Sequence, residues 1–310
     1  ILTKTDKTKR LMLLKSNHYG NLIMQQISNE EKFNKTKPLK PATIQAKFNK
    51  SITQIAESYD NTHTSFTKEL LKCKTSEPLP NNIYGLPKDH KSGDLKCRPI
   101  IAAYNGPSVN LAKYLVKIFL PLLKFVPAHI KDGDDFIDYI NKLNNSDQKV
   151  YEFGSIDAID LYSCIPITST PNITGVIDVL CDFFLQYKGF SEFSYLSQTD
   201  LRKLLQLALL EDTTLFNNEV YKQISGLAMG NPFAPIAAII YMNHIESTLM
   251  EKYQHKIIWK RLQDDIFVGT LINHLTLDEI LYDINNINPA IKFTLEKSKN
   301  NSLVFLDTLI

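Results

Sequence analysis

Cysteine is scarce in this sequence and shows no pattern. The four present, Cys73, Cys97, Cys164 and Cys181, form neither a CxxC pair nor a Cys/His cluster. That spacing excludes a zinc finger or ribbon and a disulfide scaffold, and the cysteines read as reduced thiols of an intracellular protein. No apolar run reaches the roughly 18 residues of a membrane-spanning helix, and nothing at the start reads as a secretory leader. An excess of one charge is also lacking: the net charge is only +2. Any surface for a polyanion must therefore come from basic residues concentrated on one face. The chain has no initiator methionine and stops at Ile310 inside a strand-like pattern, so it reads as a fragment or as the ordered part of something longer.

Apolar and aromatic residues, by contrast, are plentiful. Of 310 residues 44% are hydrophobic, with 14 Tyr and 16 Phe, enough for a large core or two subdomains and too many for disorder. The most informative stretch is IIWKRLQDDIFVGT, residues 257–270, where Asp264 and Asp265 separate two β-prone runs. Adjacent acids at a tight strand reversal suit a divalent cation held by oxygen, although an Asp-Asp pair between strands is ordinarily a solvated turn. A second acid strand answers it upstream: VYEFGSIDAIDLYSCIP, residues 150–166, carries Asp157 and Asp160. Cations that clamp a transferring phosphoryl group need carboxylates from more than one strand. Between the two strands lies GLAMGNPFAP, residues 226–235, ahead of a helix-like apolar run. Closely spaced Gly and Pro form a loop able to approach a flat ligand such as a base pair.

The order of acid strand, Gly-rich loop with helix, and Asp-Asp hairpin resembles that of template-dependent polymerases. More specifically, the sequence resembles the reverse transcriptases of Penelope-like retroelements, through YGLPKDHKSGDLKCRPII (84–101), SIDAIDLYSCIP (155–166), the Gly-rich loop, QDDIF (263–267) and FLD (305–307). The resemblance implies an α+β right-hand polymerase core with fingers and palm subdomains, the palm being an antiparallel sheet backed by helices. Residues 1–83 would be an N-terminal extension and fingers helices, 84–150 the fingers hairpin and fingers/palm helices, and 151–310 the palm, with a fingers-side insertion at about 170–224. The thumb and GIY-YIG endonuclease of that family have no counterpart in this sequence.

The resemblance also implies site roles. Asp157, Asp264 and Asp265 would be catalytic, with Asp157, Asp264 and the carbonyl of Ala158 binding two Mg²⁺, Mn²⁺ being an alternative. Asp265 would be a supporting acid, and Asp160 structural or near the triphosphate. Lys88, Lys91 and Arg98 would bind the incoming nucleotide; by sequence they spread over a hairpin turning at residues 92–94, where several cations can converge on one anion. Tyr162 would exclude a 2′-hydroxyl, and Gly230 would abut the nascent base pair. Phe305 and Leu306 would form a primer grip, while Lys113 and Lys117, four apart on a helix, could track backbone phosphates. Lys297 or Lys299 would protonate pyrophosphate. The sequence departs from the commoner pattern at Leu262, where Tyr or Phe is usual, and at Met229, Asn231 and Ala234.

The expected function is RNA-directed DNA polymerase, a nucleotidyltransferase that takes an RNA template, a DNA primer or RNA/DNA hybrid, and dNTPs. Its expected location is nuclear, after cytoplasmic synthesis. Two alternatives are an RNA-templated RNA polymerase and a catalytically inactive nucleic-acid-binding module that retains the fold.

Overall fold

The computed structural model describes residues 1–6, 8–89, 93–104, 106–146, 148–210 and 213–310. In chain order the first elements are β1 (Leu2–Lys4), β2 (Leu11–Leu13), α1 (Ser16–Ile27), β3 (Phe33–Thr36), α2 (Pro41–Glu57), α3 (Thr64–Leu71), β4 (Asn81–Pro87), β5 (Cys97–Ala102) and α4 (Val109–Phe119). Then come α5 (Gly133–Asn144), β6 (Glu152–Ala158), α6 (Leu161–Cys164), α7 (Val176–Tyr187), α8 (Gln198–Leu210), β7 (Thr213–Phe216) and β8 (Glu219–Gln223). The last are α9 (Ala234–Tyr253), β9 (Ile257–Leu262), β10 (Asp265–Thr270), α10 (Leu277–Ile287), β11 (Phe293–Lys297), β12 (Val304–Phe305) and β13 (Thr308–Leu309). They divide into two compact units, one of Ile1–Ile118 with Tyr195–Ala234, the other of Phe119–Ser194 with Pro235–Ile310.

The first unit contains a five-stranded mixed sheet in the order β3-β8-β7-β4-β5, in which only β4 and β7 run parallel. Alternation along β4 sends Ile83 inward and leaves Asn82 and Tyr84 exposed, as the two-residue period of a strand requires. Helix α1 lays Leu22, Ile23 and Ile27 against Phe33, Ile83, Cys97, Ile101 and Tyr221. Each large aliphatic side chain buried there contributes about 1.5–3 kcal/mol. The Lys-rich start of the chain folds back as a ribbon: β1 pairs with β2, and the amide of Asp6 donates to the carbonyl of Pro87 on β4 at 2.9 Å.

The second unit is built on a four-stranded antiparallel sheet, β11-β6-β10-β9. Helix α10 packs on this sheet and starts with a reciprocal cap, in which Thr276 and Glu279 satisfy each other's backbone amides. On the face carrying Phe267, the ring of Phe136 from α5 stands 5.3 Å away and that of Phe305 from β12 stands 5.8 Å away. These rings cover one end of that face. Two residues along β10 from Phe267, on the same face by strand periodicity, Asp265 is exposed.

Among the described residues no helix is long and apolar enough to cross a membrane. Cys73, Cys97 and Cys181 are buried. Desolvation pushes the Cys73 thiol up to about 12 and that of Cys97 up to about 11. Neither is suited to thiolate chemistry.

Candidate active site

Backbone register brings the separated acids together. β6 and β10 are antiparallel neighbours, and Asp157 stands directly opposite Asp265. The amide of Ala158 donates to the carbonyl of Asp264 at 3.3 Å. A bond from the residue after Asp157 to the residue before Asp265 marks their pair as the non-hydrogen-bonded kind, in which Cα atoms approach to about 4.5 Å and side chains are closest. Both carboxylates are exposed and on one face, with Thr294 of β11 opposite Asp157 on its other side. Like charges directly opposed destabilise a sheet. A cation shared between them would reverse the sign of that contribution.

Asp264 sits in the two-residue connection between β9 and β10, since Leu262 pairs with Asp265. Gln263 before it has φ of 57°, and Asp264 has no positive φ. Those signs are those of a type II′ turn, whose first position ordinarily takes glycine. Two groups hold the unfavoured residue. Tyr162 Oη donates to Gln263 Oε1 at 3.0 Å, and Arg261 Nη1 donates to the Gln263 carbonyl at 3.1 Å. Arg261 is fully buried and ion-paired with Glu246 of α9 at 2.5 Å. Sequence reasoning missed Arg261, Glu246 and Gln263. The signal was present: Glu246 is the one acid in the apolar run 236–249, and Arg261 lies beside Lys260 in the apolar run 257–262.

Among the described residues no group of three or more His, Cys, Asp or Glu side chains is assembled to hold a metal ion. The donor set still fits Mg²⁺, which usually takes one or two carboxylates and completes its shell with water and substrate phosphates. Asp157, Asp264 and Asp265 supply hard oxygen donors at one exposed sheet end.

Solved structures share this arrangement of elements. An apo telomerase from Candida tropicalis truncated from its C-terminal domain superposes with a TM-score of 0.60 at 12% identity, over 100% of this chain and 61% of that one. A Candida albicans telomerase in complex with a fragment of telomeric RNA gives 0.62 at 14%, over 98% and 50%. Another apo telomerase from Candida tropicalis gives 0.62 at 11%, over 100% and 54%. The chain shares its fold with part of these telomerases. It spans 50% to 61% of the length of these telomerases. Comparison with protein-family models gave no match, and neither did comparison with curated protein sequences.

The remaining candidates belong to both units. Gly230, with φ of 120°, passes so close to β5 that a Cβ would lie 1.9 Å from the Ile101 carbonyl oxygen. The amide of Ile101 in turn donates to the carbonyl of Met229 at 2.7 Å. The close approach demanding glycine is thus to the protein's own strand. Arg98 of β5 is half-buried and ion-paired at 3.3 Å with Asp6, itself 4% exposed. The amide of Lys88 bonds the Lys96 carbonyl at 2.8 Å across the hairpin. Lys91 lies outside the described residues. Lys113 and Lys117 are both exposed on α4, and Lys117 pairs with Glu69 at 3.7 Å.

Asp160 takes a left-handed backbone, φ 47°, at the start of α6, whose Tyr162 is half-buried. The ring of Phe305 is 4% exposed and packs against Phe136 at 4.8 Å, while Leu306 at the turn of this hairpin is half-buried and Asp307 exposed. Lys297 is opposite Gly154, three residues along β11 from Thr294, about 10 Å from the acids at ~3.3 Å per residue. Its ammonium bonds Asp278 at 2.5 Å, which holds its pKa above the ordinary lysine value. Lys299 pairs with Glu296 at 3.8 Å and is exposed.

Proposed function

We propose that this chain is the catalytic core of an RNA-directed DNA polymerase of the Penelope-like retroelement kind, which extends a DNA 3′-hydroxyl on an RNA template with dNTPs. The observation that carries the reading is the direct opposition of Asp157 and Asp265 on neighbouring strands, with Asp264 at the turn between β9 and β10. The shared telomerase fold supports it, as do the motifs at residues 84–101, 155–166 and 226–235.

In this reading residues 1–150 supply the N-terminal extension, the fingers and the fingers/palm helices, and 151–310 the palm, with a fingers-side insertion at about 170–224. Asp157 and Asp264, with Asp265 in support and the Ala158 carbonyl beside them, hold two Mg²⁺. Bound divalent cations supply charge neutralisation at the attacking and leaving oxygens of an in-line phosphoryl transfer. Lys88, Lys91 and Arg98 bind the triphosphate, and Lys113 and Lys117 the template or primer backbone. Recognition is mainly of backbone and of the A-like shape of a hybrid, with little reading of sequence. Insertion of the product would take place in the nucleus.

Tyr162 stands as the sugar gate, and its hydrogen bond to Gln263 fixes its ring beside the Asp264 turn. Primer extension on an RNA template tests the whole reading: Asp157→Ala and Asp264→Ala are each expected to abolish it, and undiminished synthesis by either would remove the mechanism. Tyr162→Ala is expected to admit ribonucleotides; unchanged discrimination between dNTPs and rNTPs removes the gate.

A further inference from the structure

Arg261 does more than fill space beneath the sheet. Its side chain is fully buried, yet all three guanidinium nitrogens are hydrogen-bonded. Nε and Nη2 bind Glu246 Oε1 and Oε2 at 2.5 and 3.0 Å, Nη2 also donates to the Ile239 carbonyl at 3.0 Å, and Nη1 to the Gln263 carbonyl at 3.1 Å. Trp259 Nε1 fixes the partner by donating to Glu246 Oε1 at 2.9 Å. Removing two charges from water costs several kcal/mol per ion, and a well-packed apolar pair of similar volume is often as stable or more so. Stability alone therefore does not explain the pair.

What an apolar pair cannot supply is the bond to Gln263. That residue occupies a backbone region costing a non-glycine residue about 1 kcal/mol or more. Its carbonyl belongs to the peptide plane that continues into Asp264, so fixing the carbonyl fixes the plane from which the Asp264 side chain projects. The fork of the guanidinium spans helix and turn at once, which a lysine ammonium, a compact point charge, does not.

We infer that Arg261, anchored by Glu246, is a positioning residue that locks the Gln263–Asp264 peptide and so aims the Asp264 carboxylate. The inference deepens the polymerase reading and rests on it for its catalytic consequence, though the clamp itself is measurable without catalysis.

The test uses the full chain. Arg261→Met combined with Glu246→Met removes both charges together and is expected to fold with an unfolding midpoint close to that of the unmodified protein. Amide exchange across residues 262–265 should accelerate by about tenfold. Single-turnover extension should slow by about a hundredfold, the effect expected of a roughly 1 Å misplacement, with KM for the nucleotide within about threefold. Adding Gln263→Gly, which accepts positive φ without strain, should recover about tenfold of that rate.

A folded double variant with unchanged exchange and near-normal extension overturns the inference, as does accelerated exchange that brings no loss of rate. Failure of Gln263→Gly to recover any rate overturns it as well. Should the double variant not fold, Arg261→Lys keeps the charge on Glu246 compensated but loses the fork, and is read by the same two measurements. If the unmodified protein extends no primer, the functional reading fails, while the exchange rates still decide whether the clamp exists.

Discussion

The β7–β8 hairpin of the first unit reverses at Asn217 and Asn218, with φ of 49° and 63°. The β9–β10 hairpin of the second unit also reverses in two residues, but with φ of 57° at Gln263 and no positive φ at Asp264. Asparagine tolerates the left-handed region, so the first turn is written in residues its backbone wants. Glutamine is not such a residue, and the second turn keeps its shape through Arg261 and Tyr162. The first turn is locally self-sufficient. The second, which carries the acids, depends on a buried helix contact. Strain held by surrounding structure gathers where geometry matters to chemistry, and the contrast accords with the role proposed for the acid turn.

The largest way to sharpen this contrast is at the acids themselves. Asp264→Ala is expected to lower primer extension by on the order of a thousandfold, the scale of losing one preorganised electrostatic group, with circular dichroism unchanged. No substitution at Asn217 or Asn218 should approach that. Next is the support: Arg261→Met alone leaves Glu246 buried without its cation and should cost about 3–5 kcal/mol in denaturant unfolding. A loss below about 1 kcal/mol would mean that the pair behaves as a surface bridge. Smaller again, Asn218→Ala should cost about 1–2 kcal/mol for a left-handed alanine, while leaving the rate of extension as it was. If Asn218→Ala slows extension as Arg261→Met/Glu246→Met does, the two turns are not distinct in kind.

The smallest effect concerns pH. His129, bridged to Arg261 in the backbone ladder, has its pKa held below the ordinary 6.5 by burial first and by the Arg261 charge second. Below about 6.5 the unfolded chain then binds a proton that the folded chain refuses, so stability falls as pH falls through that window and recovers above it. His129→Gln should flatten the decline on the acid side in pH-dependent unfolding. An unchanged slope would assign the decline to other groups.

How much of this was legible in the sequence follows from the range of the interactions. The strand runs around Asp157 and Asp264 and the helix-like run after the Gly-rich loop are written locally and appear as β6, as β9 with β10, and as α9. The opposition of Asp157 and Asp265 needs register as well, which alternation of buried and exposed residues along β6 and β10 constrains. Long-range fits were not legible. Gly230 is glycine because Ile101 crosses it, Asp6 reaches Arg98 from the far end of a folded-back ribbon, and Phe305 turns its ring into the core. Lys297 shows the same limit in reverse, since strand order puts it along the sheet from the acids, paired with Asp278.

The central claim is that Asp157 and Asp264, brought together by the pairing of β6 with β10, share a divalent cation with Asp265 in support. Mn²⁺ titration of the full chain, followed by electron paramagnetic resonance, measures this without any need for turnover. The account predicts saturable binding by the unmodified protein, strengthened by dNTP and lost in Asp157→Asn. Equal Mn²⁺ affinity in the unmodified protein and in Asp157→Asn would contradict it.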